Sequence, residues 1–332
     1  MALKVAVISP TSITTPPKDY GGIERLVYLL IKQLEKHYTI TLYAAEGSYK
    51  PNGGLHASKS DMELAVMLLD NIDGYDVVVD WSHQKLLSQI LELHGRGVKP
   101  PNILNMVFWT DMLGIGYNVF PCKAVKNAFM QLYKHLTSRE TAIIPPGIDV
   151  ERYPVRKNKD NYFLYFGRII PEKGVLELIK IAKTLGIELI VAGHTGPFSY
   201  DRKYLETVKM ECTGKVRFIG DVEEKDKIDL ISNAAAVMHR PNWLESFWIV
   251  GCEAMACGTP LIVSTDSGGP VEQVIYGKTG FICSTLEEWK NAASMVSSIN
   301  PEDCVRRAQY FSDKRMGFDW QNFISSVARV IT

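Results

Sequence analysis

With 332 residues, 46% hydrophobic and 22% charged, the chain has an ordinary globular composition and falls outside the disordered class. Its 37 Lys plus Arg balance 37 Asp plus Glu, so no overall positive field favours nucleic acid, and any phosphate site must be built locally. The length exceeds what one hydrophobic core usually serves, which predicts two domains of comparable size.

In chain order, residues 4–9 form a short apolar run ending at Pro10, which reads as a first strand rather than a signal peptide. An amphipathic segment follows over 23–36, then a β-branched run over 39–44, a helical stretch from Asp61 and strands over 76–80 and 103–108. Residues 122–139 interleave Lys123, Lys126, Lys134, His135 and Arg139 with apolar side chains. Some basic amphipathic helices rest on anionic lipid, but most such stretches are surface helices, and peripheral membrane contact is not the favoured reading. The segment 144–161 holds Pro145-Pro146-Gly147 and a charged run from Arg156 to Asp160, the composition of an interdomain connection. Strand–helix alternation then restarts, with strands over 162–166, 188–192 and 216–219 and a helix over 175–185. The expected fold is α/β, two Rossmann-like domains with parallel sheets and helices on both faces, over residues 1–154 and 155–315, with a last segment 316–332. The six cysteines lie scattered, as reduced thiols do, and no uncharged apolar run approaches the roughly 18 residues of a membrane span; the expected compartment is the cytoplasm.

Open parallel sheets bind ligands beyond the carboxyl ends of their strands, so the chemistry should follow the strands, and two such domains facing each other make one cleft. After the strand at 162–166 come Arg168 and Lys173-Gly174, two cations bracketing a turn into a helix. A helix N-terminus with flanking Arg and Lys suits phosphate oxygens, whereas a single such cation is more often solvated surface charge. Further on, Glu245 and Glu253 stand with seven residues between them, and Ser246 is placed to cap a helix that Gly258 ends. Residues 247–257 are apolar on nearly every face, so Glu253 is expected to be a buried carboxylate in need of a partner, either a ligand or else a core Arg or backbone donors. In the first half, Tyr20-Gly21-Gly22 opens the first long helix, where glycine permits close backbone approach. The dinucleotide fingerprint G-x-G-x-x-G is absent, although Glu46 lies where a ribose-binding acid would sit.

Together these residues resemble the retaining family-four glycosyltransferases of the GT-B fold, the glycosyl transferases group 1. The resemblance rests on Tyr20-Gly21-Gly22, Ile144 to Asp149, Phe166-Gly167-Arg168 through Lys173-Gly174, Glu245 with Glu253, Gly268 to Glu272, and Gly277 to Gly280, in the same order. It implies a hexosyl transfer from a nucleoside-diphosphate sugar to an unknown acceptor, with no cofactor and no metal, and closure of the two domains over the donor. It implies that Gly21 and Gly22, Arg168 and Lys173 hold the diphosphate, that Glu245, Ser246 and the backbone of Phe247, Trp248 and Ile249 hold the sugar, and that Glu253 holds the ribose. Arg168, Lys173 and Glu245 would then be the catalytic groups, residues 217–220 would flank the base, and 319–331 would be a helix crossing back to the first domain. Where the family commonly places a histidine, this chain has Trp109-Thr110-Asp111, so that role falls to Asp111, to His83 or to no residue. A non-catalytic nucleotide-sugar binder, a sugar-nucleotide epimerase and an NAD-dependent oxidoreductase are the alternative readings.

Overall fold

The structure is a computed structural model describing residues 2–18, 21–94, 102–110, 116–133, 141–194 and 202–328. The chain divides into two compact units, Met1–Asp149 with Ser312–Thr332, and Val150–Phe311. The boundaries read from the sequence, after residues 154 and 315, fall a few residues beyond these divisions.

The first unit holds β1 (Lys4–Ile8), α1 (Gly22–Leu34), β2 (Thr39–Ala44), β3 (Gly54–Ala57), α2 (Asp61–Asp70), β4 (Val77–Asp80), α3 (Leu86–His94), β5 (Asn102–Met106), β6 (Tyr117–Phe120), α4 (Lys123–Leu132) and β7 (Thr141–Ile143). Its strands form one parallel sheet in the order β3-β2-β1-β4-β5-β6-β7. Val5, Ala6 and Val7 of β1 are wholly buried, as a central strand covered on both faces must be. The strand sequence runs outward from β1 in one direction and then, from β4, in the other, which leaves a crevice beyond their carboxyl ends. The basic stretch expected over 122–139 is helical as α4, with Val125 and Phe129 turned into the core; Lys134, His135 and Arg139 lie outside the described residues.

The second unit repeats the plan with β8 (Phe163–Phe166), α5 (Val175–Leu185), β9 (Leu189–Ala192), α6 (Arg202–Glu211), β10 (Val216–Gly220), α7 (Glu224–Asn233), β11 (Ala236–His239), α8 (Ile249–Ala256), β12 (Leu261–Ser264), α9 (Gly269–Gln273), β13 (Gly280–Cys283), α10 (Leu286–Met295) and α11 (Pro301–Gln309). Its parallel sheet has the order β10-β9-β8-β11-β12-β13, so the reversal falls between β8 and β11. The last helix, α12 (Asp313–Ala328), belongs to the first unit and packs on α1. Gln33 donates to the Asp313 carboxylate at 2.6 Å, and Gly317 lies so close that a Cβ there would meet the Gln33 side chain at 2.3 Å. This helix starts earlier than the 319 read from the sequence, and residues 329–331 of that reading lie outside the described part. Among the described residues no helix is long and apolar enough to cross a membrane.

Candidate functional site

The second unit concentrates its polar chemistry at the β8/β11 reversal. Beyond β8 the chain turns through Gly167 and Arg168 and makes a tight 3-10 turn over Pro171–Lys173 before α5. The buried Tyr165 hydroxyl donates to the Arg168 carbonyl at 2.7 Å and so anchors the turn from below. Gly174 has φ 63°, and a Cβ there would sit 1.8 Å from the Arg240 carbonyl oxygen, so only glycine lets the loops after β8 and β11 meet. Asn242 clamps that meeting, donating its amide to the Glu172 carbonyl at 2.8 Å and its side-chain nitrogen to the Pro171 carbonyl at 3.0 Å.

The consequence is that two residues far apart in sequence touch. Lys173 Nζ donates to Glu245 Oε2 and lies 5.1 Å over the Trp243 ring. Trp243 Nε1 donates to the same oxygen at 3.3 Å. Burial alone would raise the Glu245 carboxyl, but the Lys173 ammonium and the neighbouring His239 ring edge together outweigh it and hold the group at about 2. The Glu245 backbone is fixed independently, its N–H on the Ser267 carbonyl at 3.1 Å and its carbonyl accepting from Gly269 at 2.7 Å. Arg168, by contrast, is half-buried and makes no ion pair among the described residues, which leaves its guanidinium available to an anion.

Glu253, on α8, is 1% exposed. Lys227 Nζ donates to its Oε1 at 2.7 Å and the Tyr153 hydroxyl donates to the same oxygen at 2.9 Å, while Oε2 is buried without a protein partner. Burial, and then the Glu253 charge, push the Tyr153 phenol far above its ordinary value, so it stays a donor. Neither Lys227 nor Tyr153 stands out in the sequence; Tyr153 falls in the segment that reads as a connection. The expected buried helix is present, but its start is corrected: α8 opens at Ile249 with Trp248 as the flanking residue, and Ser246 does not cap it. Ser246 is held elsewhere, its carbonyl packed so tightly on Gly269 that a Cβ there would lie 2.2 Å away. The helix end is as read, with Gly258 at φ 73° and paired bonds from Gly258 to Met255 and from Thr259 to Ala254. The backbone amides of Phe247, Trp248 and Ile249, leading into the first residue of α8, have no acceptor among the described residues. Residues 217–220, read as flanking the base, lie in the edge strand β10.

In the first unit Gly21 has φ 152°, and a Cβ there would meet Pro17 at 2.7 Å and the Glu24 carboxylate at 3.1 Å. Gly22 opens α1, while Tyr20 lies outside the described residues. His83 follows β4 and Trp109 follows its neighbour β5, and their rings stand 5.7 Å apart. The His83 loop is held by the buried Lys85, whose ammonium donates to the Asp80 and Ser82 carbonyls at 2.9 and 2.7 Å. Asp111 lies outside the described residues.

Residues 149–309 match the sequence model of the family described as Glycosyl transferases group 1. That segment, just under half of the chain, is similar to this family. The β8/β11 site described above lies wholly inside the group 1 segment. A glycogen synthase of Mycobacterium tuberculosis is 31% identical over 203 residues, covering 58% of this chain and 48% of that protein. A probable sucrose-phosphate synthase of Thermosipho melanesiensis is 28% identical over 215 residues, covering 60% of this chain and 50% of its own length. The chain thus spans about half the length of these curated relatives. The GT-B fold is shared across nearly the whole chain: the solved sucrose-phosphate synthase of Thermosynechococcus elongatus superposes with a TM-score of 0.76 at 16% identity, covering 99% of this chain and 100% of that one. Anabaena HepE, solved in complex with UDP-glucose, gives 0.72 at 16% identity, covering 98% and 100%.

Proposed function

We propose that the chain is a retaining glycosyltransferase that moves a hexosyl group from a nucleoside-diphosphate sugar to an acceptor, with the donor held in the second unit. The observation that carries this is the pairing of a free and a shared cation at one strand reversal: Arg168 has no acidic partner among the described residues, and Lys173 rests on the buried Glu245. Breaking the anomeric C–O bond leaves negative charge on the departing diphosphate, and preorganised cations there lower the barrier without a metal ion. In this reading Glu245 accepts from sugar hydroxyls with the free amides at the start of α8 beside it, and the unpartnered Glu253 Oε2 accepts from the ribose. His83 and Trp109 stand on the acceptor side. Retention proceeds on one face of the sugar, and no protein nucleophile is assigned. The six cysteines are free thiols, the state a reducing cytoplasm maintains, and the proposed compartment is the cytoplasm. HepE binds UDP-glucose, which makes UDP-hexoses the first donors to test.

The test is a melting screen against UDP, GDP and ADP sugars, with NAD and NADP as controls, followed by nucleotide release. A ligand at about 100 times its dissociation constant stabilises the fold by roughly 2.7 kcal/mol, and one sugar nucleotide should do so while the dinucleotides do not. Stabilisation by NAD alone refutes the reading. Arg168→Ala should leave the melting of the free protein within about 0.5 kcal/mol, since no ion pair is broken. It should weaken donor binding and turnover by roughly 10- to 150-fold, the equivalent of about 1.5–3 kcal/mol for one hydrogen bond to a charged group. Unchanged donor titration curves in that variant would remove Arg168 from the phosphate site.

A further inference from the structure

One buried titratable side chain beside this site has no part in the reaction as described. His239, the last residue of β11, is 2% exposed, and neither ring nitrogen has a hydrogen-bond partner. Every imidazole carries at least one N–H, and a buried donor of this kind normally finds an acceptor. Trp248 stacks on the ring at 4.5 Å, and Tyr165 lies nearly parallel to it at 6.5 Å, so the ring edge is where a polar partner can reach the nitrogens. Along that edge Nε2 stands 3.5 Å from Glu245 Oε2.

The groups facing the ring are Tyr165 from β8, Lys173 from the loop after β8, Glu245 from the loop after β11 and Trp248 before α8. Burial holds the imidazole below its ordinary value, Glu245 opposes this, and the Lys173 ammonium adds to it. The ring of the ligand-free chain is therefore neutral at pH 7.

We propose that His239 takes up a proton from solvent when a nucleoside diphosphate binds, and becomes the positioning residue that holds Glu245 while Lys173 serves the diphosphate. The inference rests on the transferase reading of this site. Lys173 has one ammonium and, once the donor is bound, two anionic claimants. As phosphate oxygens draw on that charge, Glu245 stays buried with less compensation, a costly state unless another cation forms beside it. The same event offsets the positive charge that keeps the imidazole neutral. Both changes favour the imidazolium, and His239 is the neighbour at the right edge to supply it. The proton enters the nitrogen that is bare in the neutral ring, and no bond to the ligand is made or broken.

Calorimetric titration with UDP, GDP and ADP at pH 7, run in PIPES and in Tris, reads proton uptake from the difference in buffer ionisation enthalpy. The diphosphate that binds should bring in up to about one proton per site in the unmutated protein and almost none in His239→Gln. Binding without uptake in the unmutated protein overturns the proposal, as does undiminished uptake in the variant. If His239→Gln does not fold, the imidazole 15N spectrum of the unmutated protein decides: the ring with nuclear Overhauser contacts to Trp248 must pass from neutral to doubly protonated when diphosphate is added, and an unchanged signal overturns the proposal. If none of the three diphosphates binds, the transferase reading falls and this inference with it, an outcome distinct from binding without a proton.

Discussion

Lys173→Met should destabilise the fold by roughly 3–5 kcal/mol, the usual cost of removing one partner from a buried ion pair, and should abolish donor-dependent stabilisation. The reason is that Glu245 is 5% exposed and keeps its charge because Lys173 stands on it. Methionine preserves the bulk over Trp243 but removes the cation that balances the carboxylate in the ligand-free chain, leaving it the Trp243 N–H and the His239 edge. A denaturant titration checks the stability and a melting experiment with sugar nucleotide checks the binding. The double variant Lys173→Met/Glu245→Gln should recover most of the stability, since the unbalanced charge is gone, but none of the transfer. The pair also has a pH signature. The folded Glu245 carboxyl lies at about 2, below an unfolded value of roughly 4.3, so its contribution is complete above about pH 5 and is lost as pH falls towards 2. The unmutated protein should lose stability across that window more steeply than the double variant. A Lys173→Met protein as stable as its parent would show that the ion pair does not hold Glu245 in solution.

Gly174→Ala is expected to be as damaging, by a different route. The residue has φ 63°, and its new methyl would lie 1.8 Å from the Arg240 carbonyl oxygen, a backbone atom that no rotamer change can move. The loops after β8 and β11 would have to part, undoing the Asn242 clamp and the Lys173–Glu245 contact together. Gly186 is the internal control, because it has φ 65° and a Cβ there would meet nothing within 4 Å. Gly186→Ala therefore costs only the left-handed backbone, about 1–2 kcal/mol, and should leave donor binding intact. Gly174→Ala should cost roughly 4 kcal/mol or more, among the rare large single-residue effects, and should lose the nucleotide-sugar response. Equal melting temperatures for the two variants would show that the loops are not in contact as described.

The local features of this protein were legible in its residues because they depend on neighbours in the chain. The β-branched run at 39–44 and the aromatic-rich run at 162–166 became β2 and β8, the amphipathic stretch at 175–185 became α5, and the Gly258 terminus closed α8. The cation loop and the two glutamates were visible for the same reason, since a turn into a helix and a carboxylate in an apolar run are short-range patterns. Ser246 shows where local reasoning failed: it has the chemistry of a cap, but its backbone is claimed by Gly269 across the loop.

What the sequence alone determined was therefore the alternation of strands and helices, the places where glycine is needed, and the residue types that carry charge. Tertiary structure alone decided which of those charges meet. Lys173 reaches Glu245 across 72 positions, Tyr153 reaches Glu253 across 100, and Lys227 reaches it across 26. These pairings follow from strand order, because β8 and β11 become neighbours only once β9 and β10 have been laid on the far side. A buried carboxylate announces that it needs a cation, but the cation's identity is set by which loops the sheet places side by side.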